Sequence, residues 1–211
     1  MFTSSNLGPE QALDLLRAPL VSYRRALDSA VSFADTTMRE LPSCPYTWSA
    51  LVRYWTWQEI RQENQANNND WRGRRLANNG LEITMQAHTF RPFKSINAGP
   101  PAPGHSSTKR DYYSQYRQAA FELPEVMSAE GANLIVDWTV RADRHPLLAL
   151  SKPKGFWKYR GTPKLEWRVI VHFGGDDGGQ TLRFAPSDED DSGFDFTIDR
   201  SEVSYESDVA G

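Results

Sequence analysis

Near Leu81 the recurrence of apolar residues changes from a helical period of about 3.6 to the period of 2 that belongs to strands, and this switch limits which folds the chain can adopt. Upstream, Leu13 and Leu16 stand at helical spacing after Pro9. Leu20, Leu27, Val31, Ala34, Met38 and Leu41 then share one side of a helix, with Arg24, Arg25, Asp28, Asp35 and Arg39 largely off it. Pro19 interrupts or restarts the pattern between the two because it lacks the N–H of an interior helical residue, and Pro42 and Pro45 end it. A third helix begins near Pro45 to Thr47 and carries Trp48, Leu51, Val52, Trp55 and Glu59 down one side. The run RQENQANNND that follows reads as a loop or a frayed helix end, since clustered asparagines bond to their own backbone and favour turns.

Downstream the alternation takes over. In LEITMQAH, Leu81, Ile83, Met85 and Ala87 alternate with Glu82, Thr84, Gln86 and His88, which predicts one strand with one buried face. NAGPPAPGHSS reads as a loop, and DYYSQYRQAAFELP as a helix on the spacing of Tyr112, Tyr116, Ala119 and Leu123. NLIVDWTVRA puts Leu134, Val136, Trp138 and Val140 inward, with Asp137, Thr139 and Arg141 on a polar face. KLEWRVIVHF repeats the scheme, with Leu165, Trp167, Val169, Val171 and Phe173 inward and Glu166, Arg168 and His172 outward. GGDDGG suits a hairpin loop before QTLRF, and FDFTI alternates once more. Helices followed by one-sided strands predict an α+β class, with N-terminal helices packed on a mainly antiparallel sheet. The expected organisation is a single domain over 1–186, helical over 9–66 and strand-rich over 81–186. An acidic C-terminal tail follows over 187–211, with an edge strand at 193–199.

At 211 residues the chain suits one domain, and seven tryptophans, ten phenylalanines and eight tyrosines supply bulky core material. No apolar run approaches the ~20 residues of a membrane span, and the amino terminus has no basic segment leading into an apolar one. A single cysteine, Cys44, agrees with a reducing compartment, so the expected location is cytoplasmic. The net charge of −3 conceals an asymmetry: residues 187–211 hold nine acidic side chains against Arg200 alone, leaving a mildly basic body. A basic body with an acidic tail is a pattern associated with contacts to polyanions.

The basic character gathers in KPKGFWKYRGTPK, where Lys152, Lys154, Lys158, Arg160 and Lys164 surround Phe156, Trp157 and Tyr159 without an acidic residue. Cations to meet phosphates and rings to stack on unpaired bases are what single-stranded nucleic acid requires of a partner. Arg72, Arg74 and Arg75 in WRGRR, with Lys109 and Arg110, are secondary basic points whose value depends on reaching the same face. Asp137 and Glu166 form a second constellation: on neighbouring strands the two carboxylates would share a metal ion, with Arg168 steadying a phosphate. That arrangement loosely resembles the aspartate, then glutamate-x-lysine pattern of the restriction-endonuclease-like nucleases, and departs from it in offering Arg168 where the family has lysine. In DEDDSGFDFTID, Asp188, Asp190, Ser192, Gly193 and Asp199 fall at calcium-loop positions, so the spacing resembles an EF-hand; Asp195 and Asp199 depart from that loop's aliphatic and glutamate positions.

His88, His105, His145 and His172 lack the clustered spacing of a zinc site, and the chain holds no GxxxxGK, GxGxxG or GxSxG segment. The first expectation is therefore a non-enzymatic binding protein without a cofactor or metal, contacting single-stranded nucleic acid or another polyanion. A protein-interaction or self-assembling module, with Trp55, Trp57, Trp71 and Trp157 among its interface residues, is the first alternative. A metal-dependent nuclease using Asp137 and Glu166 is the second.

Overall fold

The computed structural model describes residues 7–39, 44–77, 80–96, 99–115, 131–154 and 164–173. GGDDGG, QTLRF, FDFTI with its calcium-like spacing, the acidic tail and residues 155–163 lie outside them. In chain order the described elements are α1 (Pro9–Leu15), α2 (Arg17–Met38), α3 (Pro45–Ala66), β1 (Trp71–Arg75), β2 (Leu81–Met85), β3 (His88–Lys94), α4 (Ser107–Tyr113), β4 (Asn133–Val140), β5 (Pro146–Pro153) and β6 (Leu165–Val171). They form an α+β fold in which helices pack on a mostly antiparallel sheet of six strands.

Pro19 falls in the first turn of α2, where a missing N–H costs nothing, so the break between α1 and α2 is slight: the N–H of Leu20 still donates to Leu16 O at 2.9 Å. Leu20, Leu27, Val31 and Ala34 are buried as their spacing implies. α3 lies beside α2 and stays helical to Ala66, six residues into the run expected to be a loop. The reason lies in neighbours. Glu63 Oε1 accepts from Ser22 Oγ at 2.6 Å, Glu59 from Ser29 Oγ at 3.3 Å, and Asn64 Oδ1 from the Gly73 N–H at 2.7 Å. Polar side chains engaged by α2 and β1 do not compete for their own backbone.

The sheet follows chain order from β1 to β6, antiparallel at every seam except β3–β4, which is parallel. Its helix-facing rows, including Trp71, Ile83, Phe90, Leu134, Val136, Trp138, Leu148, Leu150, Val169 and Val171, share one core with α1, α2 and α3. A parallel seam needs a crossover, and this one carries α4 onto the other face of the sheet, where Tyr112 and Tyr113 pack on Ile135 and Phe93. β4 is consequently buried on both faces from Asn133 to Trp138, which corrects the expectation of a one-sided strand with Asp137 on its polar face. LEITMQAH is likewise corrected. It is not one strand: Gln86 adopts a positive φ of 52° and Met85 pairs with His88, so two residues turn β2 into β3.

β1 and β5 were not expected as strands. WRGRR is short and mostly cationic, while PLLALSKP, covered on both sides, shows no alternation to read. The β2–β3 ladder stops at Ile83 and Phe90, although β2 runs on to Leu81, which on that register lies level with Pro92. The N–H groups of Thr89 and Ser95 donate to Ala132 O and Trp138 O in β4 and its approach, so by alternation Pro92 belongs to the row facing β2. With no N–H to give, Pro92 cannot extend the ladder, which stops just before it.

Candidate anion-binding surfaces

β5 and β6 form an antiparallel hairpin, closed at its open end by the Lys154 N–H donating to Lys164 O at 2.9 Å. Both lysines are exposed. Phe156, Trp157, Lys158, Tyr159 and Arg160, which connect them, lie outside the described residues. Lys152 stands apart from this group. The register shifts at Lys152 and Pro153, leaving Glu166 as the extra residue of β6, and the Lys152 Nζ lies 3.1 Å from Glu166 Oε2 with only 1% of its side chain exposed. A buried ammonium requires a partner, and Glu166 supplies a carboxylate.

The same topology separates the two carboxylates expected to share a metal ion. β5 lies between β4 and β6, so Asp137 and Glu166 are not on neighbouring strands. Asp137, also 1% exposed, instead meets Arg168, which reaches across β5 to donate to Oδ2 at 2.8 Å and Oδ1 at 3.3 Å. Ser95 Oγ donates to Oδ2 at 2.9 Å and Ser151 Oγ to Oδ1 at 3.5 Å. Each acid therefore has its own cation: Arg168 for Asp137, Lys152 for Glu166. Among the described residues no three His, Cys, Asp or Glu gather as metal ligands.

The secondary basic points divide between two elements. Gly73 faces Ile60 of α3, so Arg72 and Arg74 of β1 project from the opposite face, the one that α4 covers further along the sheet. Arg74 donates to Glu82 Oε1 at 2.6 Å and Arg91 approaches Glu82 Oε2 at 2.7 Å, while the Arg91 guanidinium sits 4.0 Å over the Tyr112 ring. Lys109 and Arg110 lie on α4, with the Lys109 Nζ 5.0 Å from the Phe93 ring centroid. Arg75 is exposed on the edge strand.

Two further cations, Arg53 on α3 and Lys94 at the end of β3, belong to none of the basic runs that stand out in the sequence. The Lys94 Nζ lies 5.1 Å from the ring of Trp48, whose Nε1 donates to Asp35 at 2.8 Å. Burial lowers the basicity of both Lys94 and Lys109, and the positive charge of Arg53 lowers each further, with Arg91 adding to the effect on Lys109. Arg53 also lines a narrow cleft with Tyr23, Leu27, Leu81, Pro92 and Trp138. Its free volume of about 20 Å³ admits about one water. Cys44 is exposed at the start of α3, where the hydrogen bond from the Thr47 hydroxyl, at 3.1 Å, lowers the thiol pKa.

Compared with known proteins, the chain matches no family model, no curated protein and no solved structure. Chemistry of named residues is therefore the basis for a functional reading.

Proposed function

We propose that this protein is a non-enzymatic binding protein for a polyanion, foremost a single-stranded nucleic acid, which it contacts through Lys154, Phe156, Trp157, Lys158, Tyr159, Arg160 and Lys164. One observation carries the reading: exposed Lys154 and Lys164 are joined through their backbones at the end of the β5–β6 hairpin. The connection between them, which holds two more cations and three aromatic residues but no acid, thus starts and finishes at a single point. Phosphates would release counterions to the cations while bases stack on the rings. Lys152 is left out of the contact set because its charge is already answered by Glu166. In this reading the acidic residues after Ser187 act as an intramolecular competitor, weakening as salt screens them.

The alternatives have less behind them. Of the tryptophans of the expected interface that the structure describes, Trp71 is buried in the core and Trp55 and Trp57 pack against it. The acids of the nuclease reading are each ion-paired separately. Binding of single-stranded DNA and RNA, followed by tryptophan fluorescence over a salt series, tests the proposal. Lys154, Lys158 and Arg160 changed together to alanine should weaken binding and reduce the log–log salt slope by about 2, at about 0.7 per phosphate contact on a single strand. Unchanged affinity and slope in the triple variant would refute it.

A further inference from the structure

α2 and α3, each of 22 residues, lie side by side and run in opposite directions, as the pairs Ser22–Glu63, Ser29–Glu59 and Phe33–Trp55 show. One side of this helix pair covers the sheet, and the other carries three rings in a row. Phe33 of α2 lies 4.3 Å from Trp55 of α3, and Trp55 lies 5.9 Å from Tyr54. Trp55 packs on the core, whereas Phe33 is 40% and Tyr54 38% exposed. The surface around these rings is polar but uncharged. Between Arg25 and Arg39 the exposed residues of α2 are Ser29, Ser32, Phe33, Thr36 and Thr37. Ala50, Leu51 and Gln58 stand three or four residues from Tyr54 and so share its side of α3. The acids of this part of α2, Asp28 and Asp35, turn away to His145 and Arg144 of the β4–β5 turn. Glu59 lies in the seam between the helices, where it accepts from the Ser29 hydroxyl.

We infer that this face docks a second copy of the chain, with α2 and α3 of each copy packed across a two-fold axis in a four-helix arrangement. Aromatic side chains without charged ones are the composition of an interface core. Charge selects the occupant. In a two-fold contact a patch meets itself, so a net charge on it would repel, and the exposed residues around Phe33 and Tyr54 have none. A polyanion would find no cation among them, and a strongly charged protein no counter-charge. The area is sufficient as well. Two helices ~33 Å long and ~10 Å wide present ~650 Å² per copy, or ~1,300 Å² in the dimer, above the ~1,000 Å² expected of a specific contact. The face shares no residue with the β5–β6 hairpin, so this inference and the polyanion reading stand independently.

Analytical ultracentrifugation of the full chain, from low micromolar upward over a hundredfold range, should show a dimer of twice the 24.0 kDa chain mass. Phe33→Glu and Tyr54→Glu, tested singly, bring like charges into the contact and should each raise the dissociation constant at least tenfold. Both positions are exposed, so circular dichroism should match the parent, and if one variant fails to fold the other carries the test. Ile96→Ser, at an exposed apolar residue in the sheet layer, should dimerise as the parent does. A monomer throughout the range overturns the inference and leaves the face to a different protein. Equal dissociation constants for the parent and both Glu variants overturn it too. Association that falls steeply with salt would belong instead to contacts between the basic hairpin and the acidic residues after Ser187, and counts against it in the same way. If both Glu variants lose stability while the parent is monomeric, the chain covers the face itself. The hairpin triple variant should dimerise unchanged, which keeps a failure here distinct from a failure of the polyanion reading.

Discussion

Asp137 illustrates how a residue's role follows from its partners more than from its type. Alternation assigns it to a polar face, and a carboxylate there invites a metal or an ion pair. In the fold it is closed off by the crossover, and Arg168, Ser95 and Ser151 donate to its two oxygens. The Coulomb attraction and the hydrogen bonds offset a desolvation cost that an unpaired carboxylate would not survive. Asp137→Asn keeps the shape but leaves the Arg168 guanidinium without its counter-charge. Urea unfolding should show a loss of about 3 kcal/mol. A loss well below 1 kcal/mol would mean that water, not Asp137, carries the Arg168 charge. Both residues were legible as candidates; their pairing across an intervening strand was not.

At the scale of elements, the seam between α3 and β1 shows why WRGRR forms a strand despite weak local preference. Trp71 enters the core, Arg72 and Arg74 take the outer face, and Gly73 lets the strand approach the helix. A Cβ on Gly73 would stand 2.6 Å from Ile60 Cγ2, and Ile60 is fully buried with no room to withdraw. Gly73→Ala should therefore destabilise the protein by about 1–3 kcal/mol in denaturant titration, the usual cost of overpacking. Gly99→Ala is the matched control, since nothing lies within 4 Å of its would-be Cβ, and it should change stability little. Equal effects at the two sites would remove the close approach as the cause. The cationic outer positions also suit an edge strand, because charge there discourages pairing with another chain.

Across the whole molecule, Asp35 of α2 ties the helical layer to the turn between β4 and β5. Burial raises its pKa, but hydrogen bonds from Arg144 and Trp48 outweigh this and hold the carboxyl below its ordinary value of 3.8. A group with a lowered folded pKa adds stability that is fully present above the unfolded value and is lost as pH falls through the folded one. The stability advantage of the parent over Arg144→Gln, measured by thermal unfolding, should hold at neutral pH and shrink once pH drops below about 4. An advantage independent of pH would mean that packing of the Arg144 stem, not the ion pair, connects the layers. The sequence by itself determined the fold class, the helical register of α2 and the inward rows of β4 and β6, because a hydrophobic period is a local property that survives without knowledge of neighbours. It also marked Lys154 and Lys164 as part of a basic connection between strands. Only the tertiary structure decided that β3 and β4 run parallel, that α4 covers the second face, and that Lys152 and Asp137 are buried in ion pairs. Those outcomes depend on which distant segments become neighbours, a choice made by burial and hydrogen bonding over the entire chain and leaving no periodic trace in any one stretch of it.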